Sequence, residues 1–188
     1  MKTYLLRHTA VGVADGTCYG RSNVSLRNEA TADINDVVKR LGSLQADTLV
    51  YSSPANRCTQ LADALANDVS IDERLVEFNF GAWEGQLWSQ IPKHEIDTWA
   101  ADLGNARPPG GENLREVHTR VTALFTELYQ RHAGGCVVLV THGGVIRTLV
   151  AHFLNMPLTN AVSLNVEFGG ISLTRTNKFA TQLIYLNR

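Results

Sequence analysis

The sequence has little cysteine and no excess of charge of either sign, and both shortages exclude classes of protein. Its three cysteines, Cys18, Cys58 and Cys136, are odd in number and widely spaced, so we expect neither a disulfide framework nor a zinc ribbon. Such cysteine usage fits a reducing compartment. The 17 Lys and Arg residues are balanced by 18 Asp and Glu residues. Because no basic stripe appears, we expect no nucleic-acid partner.

The chain also lacks long hydrophobic runs. None approaches membrane-spanning length, and no signal-peptide pattern opens the sequence. We therefore expect a cytoplasmic protein without a membrane partner. A length of 188 residues with 44% hydrophobic residues is enough for a sizeable core. No internal repeat or low-complexity tract divides the sequence, so we predict a single domain over residues 1–188.

Apolar runs with strand and helix periodicity alternate along most of the chain. The predicted strands span residues 2–7, 47–51, 70–75, 136–140, 162–168, 171–175 and 182–186. The predicted helices span residues 26–41, 54–66, 96–103, 112–132 and 145–154. This alternation predicts a three-layer α/β/α sandwich with a mostly parallel central sheet and helices on both faces. The irregular segment 79–111, rich in Gly, Pro and Trp, is expected to form a lid.

Polar residues follow three of the predicted strands. Arg7 and His8 end the first strand, and Arg57 lies in the first turn of the helix after the second. His142 and Gly143 follow the apolar run CVVLV. Ligands of such sheets bind beyond the carboxyl ends of the strands. We therefore expect these residues to converge on one crevice.

This combination of residues suits a phosphate ester. Arginine offers a planar fork of donors that matches phosphate oxygens, and glycine lets the backbone approach an anion closely. Neutral imidazole is a competent nucleophile at phosphorus, and neighbouring cations favour its unprotonated form. The leaving alcohol needs a proton, and a nearby carboxyl group can supply it. Both Glu77 and Glu84 qualify, and this reasoning does not choose between them.

Each of these residues also has a plain structural interpretation when it is taken alone. Arg7-His8 could be a surface pair, Arg57 a solvated helix residue and Glu77 an exposed carboxylate. The functional interpretation gains its weight from their coincidence at three strand ends. The remaining histidines are predicted to be structural and without partners: His94, His118, His132 and His152.

Five segments carry a family resemblance. LLRHT, SSPANRCTQLA, LVEFNFGAWEG, PPGGENLREVHTRV and VLVTHGGVIR occur in order. Together they resemble the histidine phosphatase superfamily, with its phosphoglycerate-mutase-like fold. The resemblance implies a phosphorylated nucleophile, a catalytic acid and a set of phosphate-binding groups. These would be His8 as nucleophile, Glu77 as acid, and Arg7, Arg57, His142 and Gly143 around the phosphoryl group.

The sequence departs from the family pattern in the first loop. Thr9 stands where the family usually has glycine, and Ala14 lies near the place of a frequent asparagine. Thr9 and Thr17 are the candidates for supplying the lost donor. The loop GVADGTCYGRSNVSL resembles, more specifically, the α-ribazole phosphatases of the cobalamin pathway. The resemblance therefore implies a phosphomonoesterase acting on a small phosphate ester, with α-ribazole 5'-phosphate as the first candidate.

Several alternatives stay open. These are a broad-specificity sugar or nucleotide phosphatase, a phosphoglycerate-type mutase and a non-catalytic module that binds phospho-ligands. Neither an HExxH motif nor a paired-aspartate motif occurs, so we expect no metal and no other cofactor. Trp83, Trp88 and Trp99 either pack the lid or stack on an aromatic substrate. The hydrophobic tail strands could pair in a homodimer.

Overall fold

The computed structural model describes all residues from Met1 to Arg188 and is built around a six-stranded sheet. Its strands are β1 (Lys2–Arg7), β2 (Leu49–Ser52), β3 (Val69–Ile71), β4 (Cys136–Thr141), β5 (Ile171–Thr176) and β6 (Thr181–Tyr185). The strand order is β3-β2-β4-β1-β5-β6. The first four strands in this order pair in parallel, and β5 and β6 add antiparallel pairs at one edge.

Helices cover both faces of the sheet, which confirms the predicted sandwich. They are α1 (Ala30–Leu41), α2 (Asn56–Asp63), α3 (Lys93–Ala101), α4 (Leu114–Arg131) and α5 (Gly143–Phe153). Helices α4 and α5 pack on one face and α1 and α2 on the other. Every residue of β4 is buried, as the apolar run predicted. None of the helices is long and apolar enough to cross a membrane.

Helix α4 follows its sequence signals closely. Its inward-facing residues are all buried: Leu114, Val117, Val121, Leu124, Phe125 and Leu128. At its start, the Asn113 side chain accepts a hydrogen bond from the Glu116 N–H at 3.0 Å, and the Glu116 carboxylate accepts one from the Asn113 N–H at 2.9 Å. This reciprocal capping satisfies two backbone donors that a helix end otherwise leaves free. The prediction began this helix two residues too early.

Two other predicted elements are wrong. Helix α1 begins at Ala30 rather than at residue 26, because Leu26 pairs with Val11 in an isolated antiparallel bridge. The predicted strand 162–168 is absent. A 3₁₀ helix (Leu158–Ser163) occupies its start, and beyond it the carbonyl oxygens of Leu164 and Val166 accept hydrogen bonds from arginine side chains instead of pairing in the sheet.

Smaller differences concern lengths. The predicted strand 70–75 is shortened to β3, and a 3₁₀ helix (Glu73–Leu75) follows it. The predicted helix 54–66 forms only as α2. Segment 79–111 contains α3 and two further 3₁₀ helices, Gly81–Trp83 and Trp88–Gln90. Strands β5 and β6 form a hairpin, and the side-chain oxygen of Asn177 in its turn accepts hydrogen bonds from two backbone N–H groups.

Two histidines that were predicted to lack partners contact each other. Nε2 of His118 on α4 lies 3.1 Å from Nδ1 of His152 on α5. One nitrogen of a neutral imidazole can donate while another accepts, so this contact joins the two helices. The sequence prediction failed because the two residues are 34 positions apart and meet only through helix packing.

Candidate active site

The predicted crevice forms at the carboxyl ends of β1 and β4. The N–H of His8, just beyond β1, donates to the carbonyl oxygen of Thr141 at 3.0 Å. This pairing places the His8 and His142 rings side by side, with centroids 5.2 Å apart and an angle of 66° between the planes. From β2, the N–H of Ser53 donates to the Val140 carbonyl at 3.0 Å and brings the start of α2 to the same place.

His8 is held in one tautomer. Its side chain is only 1% exposed, and Nδ1 lies 2.7 Å from the carbonyl oxygen of Thr9. A carbonyl oxygen only accepts hydrogen bonds, so Nδ1 carries the proton and Nε2 carries the lone pair. Burial, followed by the charges of Arg57 and Arg7, lowers the pKa of His8 to about 3. The imidazole is therefore neutral at pH 7, with the lone pair of Nε2 available.

Two arginines surround this imidazole, and no carboxylate pairs with either. Arg57 is completely buried, and its Nη1 and Nη2 donate to the carbonyl oxygens of Ser22 and Gly20 at 2.7 and 2.8 Å. Arg7 donates from Nη1 to the Val166 carbonyl at 2.6 Å. Nε of both arginines is buried and has no acceptor in the protein. Guanidinium groups that have a buried Nε without an acceptor and no carboxylate partner favour the arrival of an anion.

His142 is the second imidazole of the crevice. Its Nε2 lies 2.8 Å from the hydroxyl oxygen of Ser53 and 3.6 Å from Sγ of Cys58. Burial, together with the neighbouring His8 and Arg57, holds the pKa of His142 well below its usual range. A neutral His142 can therefore donate a hydrogen bond without adding a third positive charge to the crevice.

The carboxylate of Glu77 contacts the N-terminal turn of α5. Its Oε2 accepts a hydrogen bond from the Gly144 N–H at 3.1 Å, and its Oε1 accepts from the Phe78 N–H at 3.0 Å. Two glycines make this approach possible. A Cβ on Gly144 would stand 2.5 Å from Glu77 Oε1, and one on Gly143 would stand 3.4 Å from the Arg7 guanidinium carbon. The carboxylate and the guanidinium thus meet the N-terminal turn of one helix.

Glu84, the other candidate acid, has a different environment. Its carboxylate accepts hydrogen bonds from the N–H groups of Arg21, Ser22 and Phe80 and from the Ser22 hydroxyl. It does not line the cavity described next, whereas Glu77 does. The structure therefore separates two residues that the chemistry of the sequence left equivalent.

A cavity of about 380 Å³ adjoins the crevice: Arg7, Glu77 and Gly144 line it, whereas His8, Arg57 and His142 do not. Phe78, Phe80 and two tryptophans, whose rings contact one another, form an aromatic wall of this cavity. Of the three lid tryptophans, Trp88 and Trp99 belong to this wall. Trp83 is buried and donates from Nε1 to Glu95 at 2.8 Å. One tryptophan therefore packs the segment, and the other two face the space that a substrate can occupy.

Sequence reasoning missed two residues of this region. Arg147 on α5 lines the cavity, donates from Nε to the Leu164 carbonyl at 2.7 Å and has no carboxylate partner. It belongs to the segment VLVTHGGVIR, four residues after Gly143, so helical spacing could have indicated it. The Phe168 ring lies 3.6 Å from the Arg7 guanidinium carbon, and its centroid lies 5.5 Å from that of His8. No sequence pattern indicated that Phe168 belongs to the site, because residues 162–168 were predicted to form a strand.

No group of three or more His, Cys, Asp or Glu side chains is arranged to hold a metal ion. The site is thus built from imidazole, guanidinium and carboxylate groups, with backbone N–H groups at the start of α5.

Known proteins are similar to this chain in sequence and in fold. A family model described as the histidine phosphatase superfamily (branch 1) matches residues 3–188. Phosphoserine phosphatase 1 of Hydrogenobacter thermophilus is 24% identical over 169 residues, which cover 82% of this chain and 80% of that protein. Three relatives from Mycobacterium bovis and Mycobacterium tuberculosis are 28% identical, and the chain spans 48% of their length.

The folds of solved structures match the fold of this chain over nearly its whole length. A mycobacterial glucosyl-3-phosphoglycerate phosphatase in complex with VO3 has a TM-score of 0.87 and 26% identity, covering 99% of this chain and 98% of that one. The alpha-ribazole phosphatase of Shigella flexneri has a TM-score of 0.87 and 24% identity, covering 100% and 96%. Because the family model matches nearly the whole sequence, the chain belongs to branch 1 of the histidine phosphatase superfamily.

Proposed function

We propose that this chain is a phosphomonoesterase that works through a phosphohistidine at His8. The observation that carries the proposal is the position of a neutral imidazole beside two arginines, Arg57 buried and Arg7 half-buried, that no carboxylate neutralises. An entering phosphate ester supplies the missing negative charge. Arg7, Arg57 and His142 then hold its phosphoryl oxygens, and the start of α5 with Gly143 adds backbone N–H groups.

The reaction has two steps. In the first, Nε2 of His8 attacks phosphorus, an N–P bond forms, and the bond between phosphorus and the ester oxygen breaks. Glu77 gives its proton to the leaving oxygen, so the alcohol departs neutral. In the second, water attacks the phosphohistidine, Glu77 takes a proton from that water, and the N–P bond breaks to release phosphate. Both steps use side chains alone, so the activity needs no metal, and residues 79–111 form the lid that excludes bulk water.

The aromatic wall supports α-ribazole 5'-phosphate as the first candidate substrate. Its alcohol carries an aromatic base that can stack on Trp88, Trp99 or the phenylalanines beside them. The first loop also supports it, since this loop resembles those of α-ribazole phosphatases and its residues Tyr19 and Gly20 line the cavity.

One observation favours a second class of substrate. Arg147 presents an unpaired guanidinium to the same cavity, where it suits an alcohol that bears a carboxylate. Phosphoserine and phosphoglycerates have such alcohols, and phosphoserine phosphatase 1 of Hydrogenobacter thermophilus is among the relatives of this chain.

The proposal is tested by phosphate release from a panel of esters in the presence of EDTA. The panel contains α-ribazole 5'-phosphate, nucleotides, sugar phosphates, phosphoserine and phosphoglycerates, and a coupled assay follows isomerisation of the phosphoglycerates. We expect phosphate release with EDTA present, and an alkali-stable, acid-labile phosphoryl-enzyme after rapid quenching. His8→Ala should abolish both, whereas His132→Ala, a substitution at the end of α4, should preserve both.

Three outcomes would contradict the proposal. Isomerisation without net phosphate release would identify a mutase. Loss of all activity in EDTA with recovery on adding a divalent metal would contradict metal independence. Binding of esters without turnover, equal in the native chain and in His8→Ala, would identify a non-catalytic module.

A further inference from the structure

We infer that Glu84 is a positioning residue that holds Arg57 in place through the loop between them. The loop consists of residues 19–23, and we call it the clamp loop. The inference rests on the proposed function in one respect, since it takes Arg57 to be a ligand of the phosphoryl group. It assigns a task to the carboxylate that the sequence could not distinguish from the catalytic acid.

On one side of the clamp loop lies the Glu84 carboxylate. Oε1 accepts a hydrogen bond from the Arg21 N–H at 3.0 Å, and Oε2 accepts from the Ser22 N–H at 2.9 Å. Two successive backbone N–H groups that converge on one anion form a nest, a concave binding site for negative charge. The Ser22 hydroxyl also donates to Oε2, and the Phe80 N–H donates to Oε1 at 3.0 Å. Glu84 thus ties the loop to the beginning of segment 79–111.

On the other side lies the Arg57 guanidinium. Nη1 donates to the Ser22 carbonyl at 2.7 Å and Nη2 donates to the Gly20 carbonyl at 2.8 Å. Ser22 therefore donates to the carboxylate and accepts from the guanidinium through its own backbone. Anion, peptide groups and cation form a chain of hydrogen bonds whose members polarise one another. Because both Nη atoms are anchored in this way, the orientation of the planar guanidinium follows the position of the clamp loop.

The packing around Gly20 leaves the clamp loop little freedom. Gly20 has a φ of +43°, and a Cβ there would collide with Glu84 Oε1 and lie 2.7 Å from the Phe78 carbonyl oxygen. Gly20 also lines the cavity, and the ring of its neighbour Tyr19 lies 5.3 Å from the Arg57 guanidinium carbon. A displacement of the loop would therefore move Arg57 and reshape the cavity wall together.

The role of Glu84 is distinct from that of a proton donor. Its two oxygens accept four hydrogen bonds, and it does not line the cavity. Loss of an acid affects esters with poor leaving groups more than esters with good ones. Loss of a phosphate ligand affects all esters alike, because every ester carries the same phosphoryl group.

The experiment compares Glu84→Gln with Glu77→Gln on p-nitrophenyl phosphate and on an alkyl phosphate. An amide at position 84 places an NH₂ group against the Ser22 N–H and loosens the clamp loop. We expect kcat/KM to fall by the same factor on both esters in Glu84→Gln, about 10-fold, a fraction of the roughly 10²–10³ that direct loss of a charge-stabilising donor costs. The affinity for orthovanadate, measured by calorimetry without turnover, should fall in parallel.

A double-mutant cycle with Arg57→Lys tests the connection itself. If Glu84 acts through Arg57, Glu84→Gln should weaken vanadate binding much less in the Arg57→Lys background than in the native chain. Additive losses would overturn the inference. Glu95→Gln is the matched control: Glu95 binds the Trp83 indole in the same segment but does not touch the clamp loop. It should lower the melting temperature and leave vanadate affinity unchanged.

The outcomes separate this inference from the proposed function. If the native chain binds vanadate but hydrolyses no ester, the proposed function fails and the vanadate cycle still tests Glu84. If the native chain hydrolyses esters while Glu84→Gln changes only the melting temperature, the inference fails alone. If Glu84→Gln does not fold, Ser22→Ala removes only the hydroxyl bond, and the same uniform loss, smaller in size, is expected; an unchanged vanadate affinity there overturns the inference.

Discussion

The carbonyl oxygen of Thr9 lies 2.7 Å from Nδ1 of His8, so Thr9 orients the imidazole through its backbone. This explains how the chain accommodates threonine where its family usually has glycine. Any residue at position 9 supplies the same carbonyl. The Thr9 hydroxyl is buried without a partner, and the Thr17 hydroxyl donates to the Ala14 carbonyl at 2.6 Å. The Thr17 hydroxyl is therefore engaged within its own loop, whereas the Thr9 hydroxyl has no acceptor in the protein.

Burial of two unprotonated histidines predicts that acid destabilises the fold. The pKa of His8 is about 3 in the folded chain and about 6.5 in an unfolded one. Between these values the unfolded chain binds more protons, so the free energy of unfolding falls as pH falls below about 6.5. The free energy of unfolding falls by roughly 1.4 kcal/mol per pH unit for each such histidine. His8 alone therefore lowers it by about 2 kcal/mol at pH 5. His142, whose pKa is also lowered, adds in the same direction.

Urea denaturation between pH 7 and pH 4.5 in phosphate-free buffer measures this slope. His8→Gln cannot titrate, so its slope should be shallower than that of the native chain by about 1.4 kcal/mol per pH unit. Identical slopes for the two proteins would show that the pKa of His8 is the same in the folded and unfolded chains, so that burial does not hold the imidazole neutral.

The position of Glu77 predicts a dependence on the leaving group. Glu77→Gln keeps an oxygen that accepts from the Gly144 N–H. The amide, however, cannot donate a proton to the leaving oxygen and later take one from water. We expect kcat for alkyl phosphates to fall by about 10²–10⁴, the usual range for a general acid, and kcat for p-nitrophenyl phosphate to fall far less. Steady-state assays of both esters measure the difference. Equal losses on the two substrates would show that Glu77 acts as a binding group.

The site residues at the strand ends could be predicted because local signals and one topological rule agree. The run from Cys136 to Val140 is apolar throughout, which is typical of a strand buried on both faces, and Thr141 and His142 follow it. The register that pairs Arg7 with Thr141 then brings the ends of β1 and β4 together. Convergence followed from the rule that parallel strands present their carboxyl ends at one edge.

Residues whose environment depends on distant segments could not be assigned in this way. Glu77 and Glu84 lie seven residues apart in one segment, and the N–H groups of Gly144 and of Arg21 and Ser22 distinguish them. Residues 162–168 have strand-like composition, but Arg7 and Arg147 bind the carbonyl groups there. In each case hydrogen bonds between residues distant in the sequence determine the local environment, and no local sequence pattern indicates them.

The position of Arg147 predicts that the protein discriminates between phosphate esters of carboxylated alcohols and those of uncharged alcohols. A hydrogen bond to a charged group contributes about 1.5–3 kcal/mol. If carboxylated esters are the substrates, Arg147→Met should lower kcat/KM for phosphoserine by roughly 10- to 150-fold and change that for p-nitrophenyl phosphate little. Arg131→Met, which removes an exposed arginine paired with Glu127, is the matched control and should change neither value. Equal losses on both esters would assign Arg147 to structure and leave the aromatic substrate as the stronger candidate.

The tryptophans give the complementary prediction for an aromatic alcohol. Trp88 and Trp99 line the cavity with their planes 25° apart, and stacking of a base on an aromatic side chain contributes about 1–3 kcal/mol. Trp99→Leu should therefore lower kcat/KM for α-ribazole 5'-phosphate about 5- to 150-fold, mainly through KM, and spare small alkyl phosphates. Trp83→Leu should destabilise the fold and leave the ratio between the two esters unchanged, because Trp83 is buried away from the cavity. If every tryptophan variant keeps the native ratio, the wall only packs the lid, and the substrate is selected by charge.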